Sequence, residues 1–272
     1  MTEKINIEAL IWQAVTAAIP AGKAILKVYD TPFEVSTKAD SSPLTLADME
    51  SHRIISEKLS PTSIPVLSEE GKDIPYTERR HWSLFWLVDP LDGTKEFVNR
   101  NGDFTVNIAL INDGYPIAGV IYVPVTDILY LGLPDKGAYR FSGAAMLLTQ
   151  HMELSGMLGQ GIRLPVTDTT EAFTVVCSRS HMSPETEAYI DELREEFGEI
   201  EYASRGSSLK LCMVAEGEAD VYPRFAPTME WDTAAGQAIA ECAGAVVVEA
   251  ENSERLRYNK ENLLNPWFIV SR

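Results

Sequence analysis

The segment Trp86-Leu87-Val88-Asp89-Pro90-Leu91-Asp92-Gly93-Thr94-Lys95-Glu96-Phe97 concentrates the chemistry of this chain. An apolar run ends in Asp89, Pro90 stiffens the exit, Gly93 permits close backbone approach, and Thr94 is placed to open a helix. Two carboxylates three residues apart on such a bend can converge on one point, with the Leu91 carbonyl between them facing the same way. Hard oxygen donors of this kind suit Mg2+, which keeps waters of its own and recruits phosphate oxygens as further ligands. The N–H groups of Gly93 and Thr94 would seat a phosphate at a helix N-terminus. Taken alone, the same residues also describe a β-turn with an aspartate cap.

Further carboxylates stand near element boundaries. Ser68-Glu69-Glu70-Gly71 follows an apolar run, and by itself reads as a solvated turn. In Trp231-Asp232-Thr233-Ala234-Ala235-Gly236 the aspartate sits where an N-cap belongs, and the small residues behind it would let a helix pack closely. Thr37-Lys38-Ala39-Asp40 and Pro43-Leu44-Thr45-Leu46-Ala47-Asp48 add two more. The four histidines, His52, His81, His151 and His181, show no metal-binding pairing, so carboxylates must hold any metal. Cys177, Cys212 and Cys242 are odd in number and far apart, which argues against disulfides or a thiolate zinc site and predicts buried thiols in a reducing compartment.

The elements that must position these groups follow from periodicity. Ile7, Leu10, Ile11, Ala14, Val15 and Ala18 predict an opening amphipathic helix that Pro20 ends or kinks before Ala24–Tyr29 resumes it. Thr45-Leu46-Ala47-Asp48 resembles a capping-box start to a second helix. Strand-like runs follow at Ile64–Leu67, Leu84–Val88, Thr105–Ile111, Ile117–Val123 and Ile128–Leu131, with Asn112-Asp113-Gly114 as a hairpin turn. Beyond Phe173 strands alternate with helices at Pro184–Phe197, Ser208–Glu216 and Thr233–Cys242, so the second half reads as α/β. The expected organisation is an α+β domain over 1–148, a link over 149–171 and an α/β domain over 172–272. The length of 272 residues, 45% apolar and 23% charged, is ordinary for a globular protein. A net charge of −17 with no basic tract argues against polymeric nucleic acid or an anionic membrane as partner. No apolar run in the sequence reaches the roughly 18 residues of a membrane span, and the N-terminus is not expected to be a secretory signal.

In their order along the chain, Glu69-Glu70, Asp89-Pro90-Leu91-Asp92-Gly93-Thr94 and Trp231-Asp232-Thr233-Ala234-Ala235-Gly236 resemble the lithium-sensitive, Mg2+-dependent phosphatases that include inositol monophosphatases and 3'(2'),5'-bisphosphate nucleotidases. Lys95-Glu96-Phe97, Ser178-Arg179-Ser180-His181, Gly206-Ser207-Ser208-Leu209-Lys210 and Tyr222-Pro223-Arg224 look like the CysQ-type bacterial nucleotidases rather than the inositol phosphatases. The resemblance implies a layered α/β/α/β/α sugar-phosphatase-type sandwich with an antiparallel N-terminal sheet and a mixed C-terminal sheet. It implies that Glu69, Asp89, Asp92, Asp232 and the Leu91 carbonyl bind two or three Mg2+, with Li+ and Ca2+ inhibitory. Thr94, oriented by Asp48, would position and deprotonate the attacking water together with Glu69. Leu91, Asp92, Gly93, Thr94, Glu69 and Asp232 would line the phosphate pocket, and His181, Ser207, Lys210 and Arg224 the nucleoside and the retained 5'-phosphate. The implied reaction converts adenosine 3'(2'),5'-bisphosphate and water to AMP and phosphate, with the 3'-phosphate of the 5'-phosphosulfate analogue as a further target. A cytoplasmic monomer is expected; dimers occur on the inositol phosphatase side, and peripheral attachment to the inner face of the bacterial membrane is described for some proteins of this type.

Elementary electrostatics points the same way. A phosphomonoester dianion meets repulsion from a chain of this charge and from clustered carboxylates, and only bound cations reverse that sign. Two Mg2+ ions would also activate water for in-line attack, with no covalent phosphoenzyme. The chemical rival is a haloacid-dehalogenase-type phosphatase, in which the first aspartate of Asp-x-Asp-Gly-Thr attacks phosphorus. Here the spacing is Asp-x-x-Asp-Gly-Thr, one residue longer, and the motif lies well into the chain. An acidic Ca2+- or nucleotide-binding module is the non-enzymatic rival.

Overall fold

The computed structural model describes residues 5–31, 43–150, 153–167, 172–177 and 182–272. In chain order the helices are α1 (Ile7–Tyr29), α2 (Pro43–Leu59), α3 (Tyr76–Arg79), α4 (Thr94–Val98), α5 (Ala144–Leu147), α6 (Leu154–Leu158), α7 (Pro184–Phe197), α8 (Leu209–Glu216) and α9 (Glu230–Cys242). The strands are β1 (Val66–Ser68), β2 (Leu84–Asp92), β3 (Thr105–Asn112), β4 (Tyr115–Val123), β5 (Ile128–Leu133), β6 (Gly137–Ser142), β7 (Ile162–Leu164), β8 (Phe173–Val176), β9 (Ile200–Ala203), β10 (Val221–Arg224), β11 (Val246–Glu249) and β12 (Phe268–Ser271).

Two sheets result. The first runs β1 to β7 in sequence order, and the second has the order β11-β12-β10-β8-β9. Three apolar cores divide the layers. In one, α1 and α2 bury Ile11, Val15 and Ile55 against Trp86, Ile108 and Val120 on the outer face of the first sheet. In the second, Leu211, Ala235 and Ile239 of α8 and α9 lie between Phe85, Ala109 and Ile121 of that sheet and Tyr222, Phe268 and Val270 of the other. The third places Ile190 and Leu193 of α7 over Val175 and Val221. The order is therefore α/β/α/β/α, as expected.

Several local expectations change. Helix α1 runs unbroken through Pro20. The lost N–H costs about 3 kcal/mol in a helix interior, but Ala17, Ala18, Ile19, Ala21 and Ile25 around it are all fully buried, and that packing holds the helix together. By length and composition α1 would also suffice to cross a membrane, although no run in the sequence was expected to; its buried face belongs to the core. Helix α2 starts at Pro43, so Thr45 lies inside it and is not its cap. The first sheet is antiparallel except at β1, which runs parallel to β2. Strands β6 and β7 fall where no strand was expected. Residues 149–171, expected as a link, carry α6 and β7, and β7 pairs with β6 as the last strand of the first sheet. Cys177 and Cys212 are buried and in no disulfide, whereas Cys242 is only half-buried.

Helix α9 sits unusually close to the first sheet. A Cβ on Gly119 would stand 2.6 Å from the Ala235 carbonyl oxygen, and one on Gly132 would stand 2.7 Å from that of Ala238. On the other side, a Cβ on Gly236 would meet Leu211 of α8 at 2.9 Å. Glycine and alanine are thus required on both sides of this contact, and they bring the start of α9 to the ends of the strands.

Candidate active site

The parallel pairing of β1 with β2 sets Ser68 opposite Val88, so Glu69, the first residue past β1, stands beside Asp89 of β2. The Glu69 N–H donates to the Val88 carbonyl at 3.2 Å. Just beyond, the register of β2 against β3 shifts between Asp89 and Asp92. Such an irregularity bends the strand and re-aims its side chains. Pro90 sits in this bend, and the Leu91 N–H donates to Asp89 Oδ1 at 3.0 Å. Asp232 comes from the first turn of α9, as its third residue. Its Oδ2 accepts the Met229 N–H at 2.8 Å, the reach-back half of a capping box, so it is not the N-cap itself.

These three elements bring carboxylate oxygens of Glu69, Asp89 and Asp232 within 4.8 Å of one another. Asp89 is 1% exposed, while Glu69 stands at the solvent side. Among the described residues none of the three forms an ion pair, although the Arg224 charge partly eases Asp232, and the consequence is electrostatic. Burial, then the Asp92 and Glu69 charges, hold the Asp89 carboxyl well above its ordinary range. Burial and Asp92 push Asp232 up to about 7, partly offset by the Met229 N–H. Glu69 is raised by burial, Glu70 and Asp92. Three carboxylates this close together resist ionising at once unless a cation neutralises them. The donor set is all hard oxygen, so the residues fit Mg2+.

Asp92 stands beside the trio rather than in it. Its Oδ2 accepts from Ser207 Oγ at 2.5 Å, the Ser208 N–H at 2.6 Å and Asn107 Nδ2 at 3.3 Å. Ser207 adopts a left-handed φ of 54°, a conformation that non-glycine residues seldom hold without a local reason. Asn107, Thr105 and Ser208 close the network, with Ser208 Oγ and Thr105 Oγ1 both donating to Asn107 Oδ1 at 2.9 Å. Sequence reasoning missed these supports; the one available signal was Asn107 interrupting the apolar run of β3.

Helix α2 is pinned to both strand ends. Ser51 Oγ donates to the Pro90 carbonyl at 2.7 Å, and His52 Nδ1 lies 2.9 Å from Ser68 Oγ. This places Asp48 beside Glu69 and Glu70, and burial with those two charges lifts its pKa to about 8. Gly93, with φ 98°, caps α4 ahead of an exposed Thr94. Among the described residues no hydrogen bond joins Asp48 to Thr94. His181 lies outside the described residues, as do Ser178, Arg179, Ser180 and Thr37–Asp40.

A cleft of about 620 Å3 opens from this centre, lined by Asp92, Gly93, Ser207, Lys210, Arg224 and Asp232 among others. Its size falls within the roughly 300–1,000 Å3 typical of small-molecule sites. Lys210 Nζ donates to the Ser207 carbonyl at 2.8 Å, and burial, assisted by the nearby Arg224 charge, lowers its pKa. Arg224 Nη2 donates to the Pro227 carbonyl at 3.2 Å, and its Nε is buried with no partner. The cleft thus carries carboxylates at one end and the cations Lys210 and Arg224 on its wall, and neither cation forms an ion pair among the described residues.

The chain is similar to several known proteins. A chain described as the 3'(2'),5'-bisphosphate nucleotidase CysQ of Shigella flexneri is 46% identical over 256 residues, 92% of this chain and 95% of that one. Its namesake in Salmonella typhimurium is 45% identical over 267 residues, 96% of this chain and 99% of that one. The crystal structure of CysQ from Bacteroides thetaiotaomicron superposes with a TM-score of 0.93 at 52% identity, covering 98% of both chains. An inositol monophosphatase from Zymomonas mobilis shares the fold, with a TM-score of 0.74 at 22% identity over 98% of this chain and 94% of its own. The profile of the inositol monophosphatase family matches residues 6–267, which span every acidic residue just described, and the chain belongs to that family.

Proposed function

We propose that this chain is a Mg2+-dependent phosphomonoesterase that hydrolyses the 3'(2')-phosphate of adenosine 3'(2'),5'-bisphosphate to give AMP and phosphate, recycling a by-product of sulfur assimilation. The observation that carries the reading is the junction of the Glu69–Asp89–Asp232 group with a cleft bearing Lys210 and Arg224. A substrate with two phosphates has one for each end.

Glu69, Asp89 and Asp232, with Asp92 and the Leu91 carbonyl adjoining, would hold two or three Mg2+. When bound, the ions supply positive charge for the scissile phosphate and the leaving oxygen, and acidify water. The chain's own residues do the rest. Asp92, immobilised by Ser207, Ser208 and Asn107, offers its remaining oxygen in a fixed direction. Thr94, at the mouth of α4, positions the attacking water, and Asp48, with its pKa near neutrality, is suited to take up a proton. Lys210 and Arg224 receive the retained 5'-phosphate. That dianion restores the charge that burial disfavours on Lys210, so binding and protonation reinforce each other. Asp89 is buried and accepts the Leu91 N–H, which fits a fixed ligand better than the exposed nucleophile of a phosphoenzyme mechanism. Li+ and Ca2+ inhibit in this reading by displacing Mg2+. In the same reading the enzyme acts as a monomer in the cytoplasm.

The deciding measurement is phosphate release from adenosine 3',5'-bisphosphate, inositol 1-phosphate and fructose 1,6-bisphosphate, each with and without Mg2+. Mg2+-dependent turnover strongly favouring the nucleotide is expected. Equal turnover of inositol 1-phosphate overturns the substrate assignment, and a trapped phosphorylated Asp89 overturns the mechanism.

A further inference from the structure

A second cavity, of about 780 Å3, lies on the far side of Phe225 from the chemistry just described and is lined by Glu185, Tyr189, Glu192, Phe225, Glu251 and Trp267 among others. Glu185, Tyr189 and Glu192 share one face of α7, Trp267 immediately precedes β12, and Glu251 follows β11. Three aromatic rings form a continuous wall. Tyr189 and Phe225 meet edge to face with centroids 5.6 Å apart, and Phe225 and Trp267 do so at 5.7 Å. Trp267 is 47% exposed, a large apolar surface left in water. No lysine, arginine or histidine is among the described residues lining the cavity, so its three carboxylates are unopposed there. Glu185 is held charged by its own N–H and the Ser183 hydroxyl, which lower its pKa.

The combination selects one ligand chemistry. A phosphate or carboxylate would be repelled by three glutamates. A neutral apolar molecule would cover the rings but strip water from the carboxylates without compensation. A small hydrated metal ion would leave the rings unused. An organic cation uses both, because ammonium groups are attracted to aromatic faces and donate charge-assisted hydrogen bonds to carboxylates. Three carboxylates spaced around one wall match several charges on a flexible apolar chain better than a single charge. We propose that this cavity binds a linear alkyl polyamine. Phe225 also lines the substrate cleft, so a polyamine held here touches a wall that the two cavities share.

The test is calorimetric titration of the full chain with spermidine at roughly 150 mM ionic strength, where the Debye length of about 8 Å suppresses diffuse attraction to the acidic surface. One saturable site is expected. Loss of the Trp267 face in Trp267→Leu, or of two charges in Glu192→Gln/Glu251→Gln, should weaken it about tenfold, which is the scale of one well-placed cation–π contact or ion pair. Glu195→Gln/Glu199→Gln, which removes the same net charge from exposed positions nearby, should leave it unchanged. Equal weakening by the control pair, or absence of a saturable site, overturns the proposal. Binding of an arginine-rich peptide with none of spermidine also overturns it, in favour of a protein partner. Because the readout is binding and not turnover, the result is independent of the substrate assignment. If Trp267→Leu fails to fold, the paired glutamine variant carries the test.

Discussion

Replacing Asp232 by asparagine should abolish turnover and yet make the metal-free protein more stable at alkaline pH. The folded pKa of Asp232 rises from 3.8 to about 7 because burial and Asp92 both oppose its charge. A carboxyl whose folded pKa lies above its unfolded one favours the folded state while it is protonated. That contribution is complete below about pH 4 and is lost as pH rises through about 7, where the folded protein must carry a strained anion. At roughly 1.36 kcal/mol per pKa unit the full shift corresponds to about 4 kcal/mol. Asparagine has no charge to strain, and its side-chain oxygen can still accept the Met229 N–H that Asp232 now accepts at 2.8 Å. Urea denaturation in EDTA should therefore find Asp232→Asn more stable than the parent by up to about 4 kcal/mol at pH 8, by about 2 kcal/mol at pH 5, and by nothing near pH 3. Interaction with Asp89 and Asp92 makes these upper bounds. With saturating Mg2+ the order at pH 8 should invert, since the parent gains binding free energy that the variant lacks. A difference in EDTA that does not change with pH, or a variant less stable than its parent at pH 8, would show that Asp232 is not the uncompensated anion its surroundings imply.

Other expectations follow from the same contacts. Asp92→Asn should keep the fold, because an amide oxygen can still accept from Ser207 and Ser208, while kcat falls by about 10^2–10^3-fold or more, as for loss of a preorganised electrostatic group; a variant retaining a tenth of the activity contradicts the assignment. Gly93→Ala should cost about 1–2 kcal/mol in chemical denaturation, since its φ is 98° and a Cβ there stands 3.2 Å from the Phe104 Cα, and should lower kcat by shifting Asp92 and Thr94. Glu230 is fully buried and accepts from Lys260 Nζ at 2.6 Å and the Asn259 N–H at 2.6 Å; Glu230→Ala should destabilise by about 3–5 kcal/mol, read as a fall in Tm, because it strands those donors at the start of α9. Millimolar Li+ should slow turnover at limiting Mg2+, and unchanged rates would argue against a labile ion at Glu69 and Asp92.

Much of this protein is written in short stretches of sequence. The apolar run into Asp89, the polar break at Gly93-Thr94 and the 14-residue span of α7, opened by Ser183 as cap and closed by Gly198, are local decisions made by neighbours within a turn or two, so periodicity and capping reveal them. The carboxylates that matter were likewise recognisable by type and order. Where local signals conflicted with distant packing they misled: Pro20 should interrupt a helix, but a fully buried face outweighs one lost hydrogen bond. Strand β7 is three residues long, too short to show a period, and exists only because β6 offers an edge to pair with.

Convergence belongs to the tertiary structure. Nothing in Glu69-Glu70 says that β1 runs parallel to β2, yet that pairing alone sets Glu69 next to Asp89. Asp232 arrives because glycines on β4 and β5 let the backbone of α9 approach the sheet, a fit between surfaces far apart in sequence. Asp92 looks equivalent to Asp89 in the motif but is turned aside by Asn107, Ser207 and Ser208. The raised pKa values of the acids follow from this assembly as well, because burial and mutual repulsion exist only once the layers have closed. Residue types and their spacing determine which groups are available for chemistry; sheet order and close packing determine which of them share a site, since distance and dielectric are properties of the folded chain.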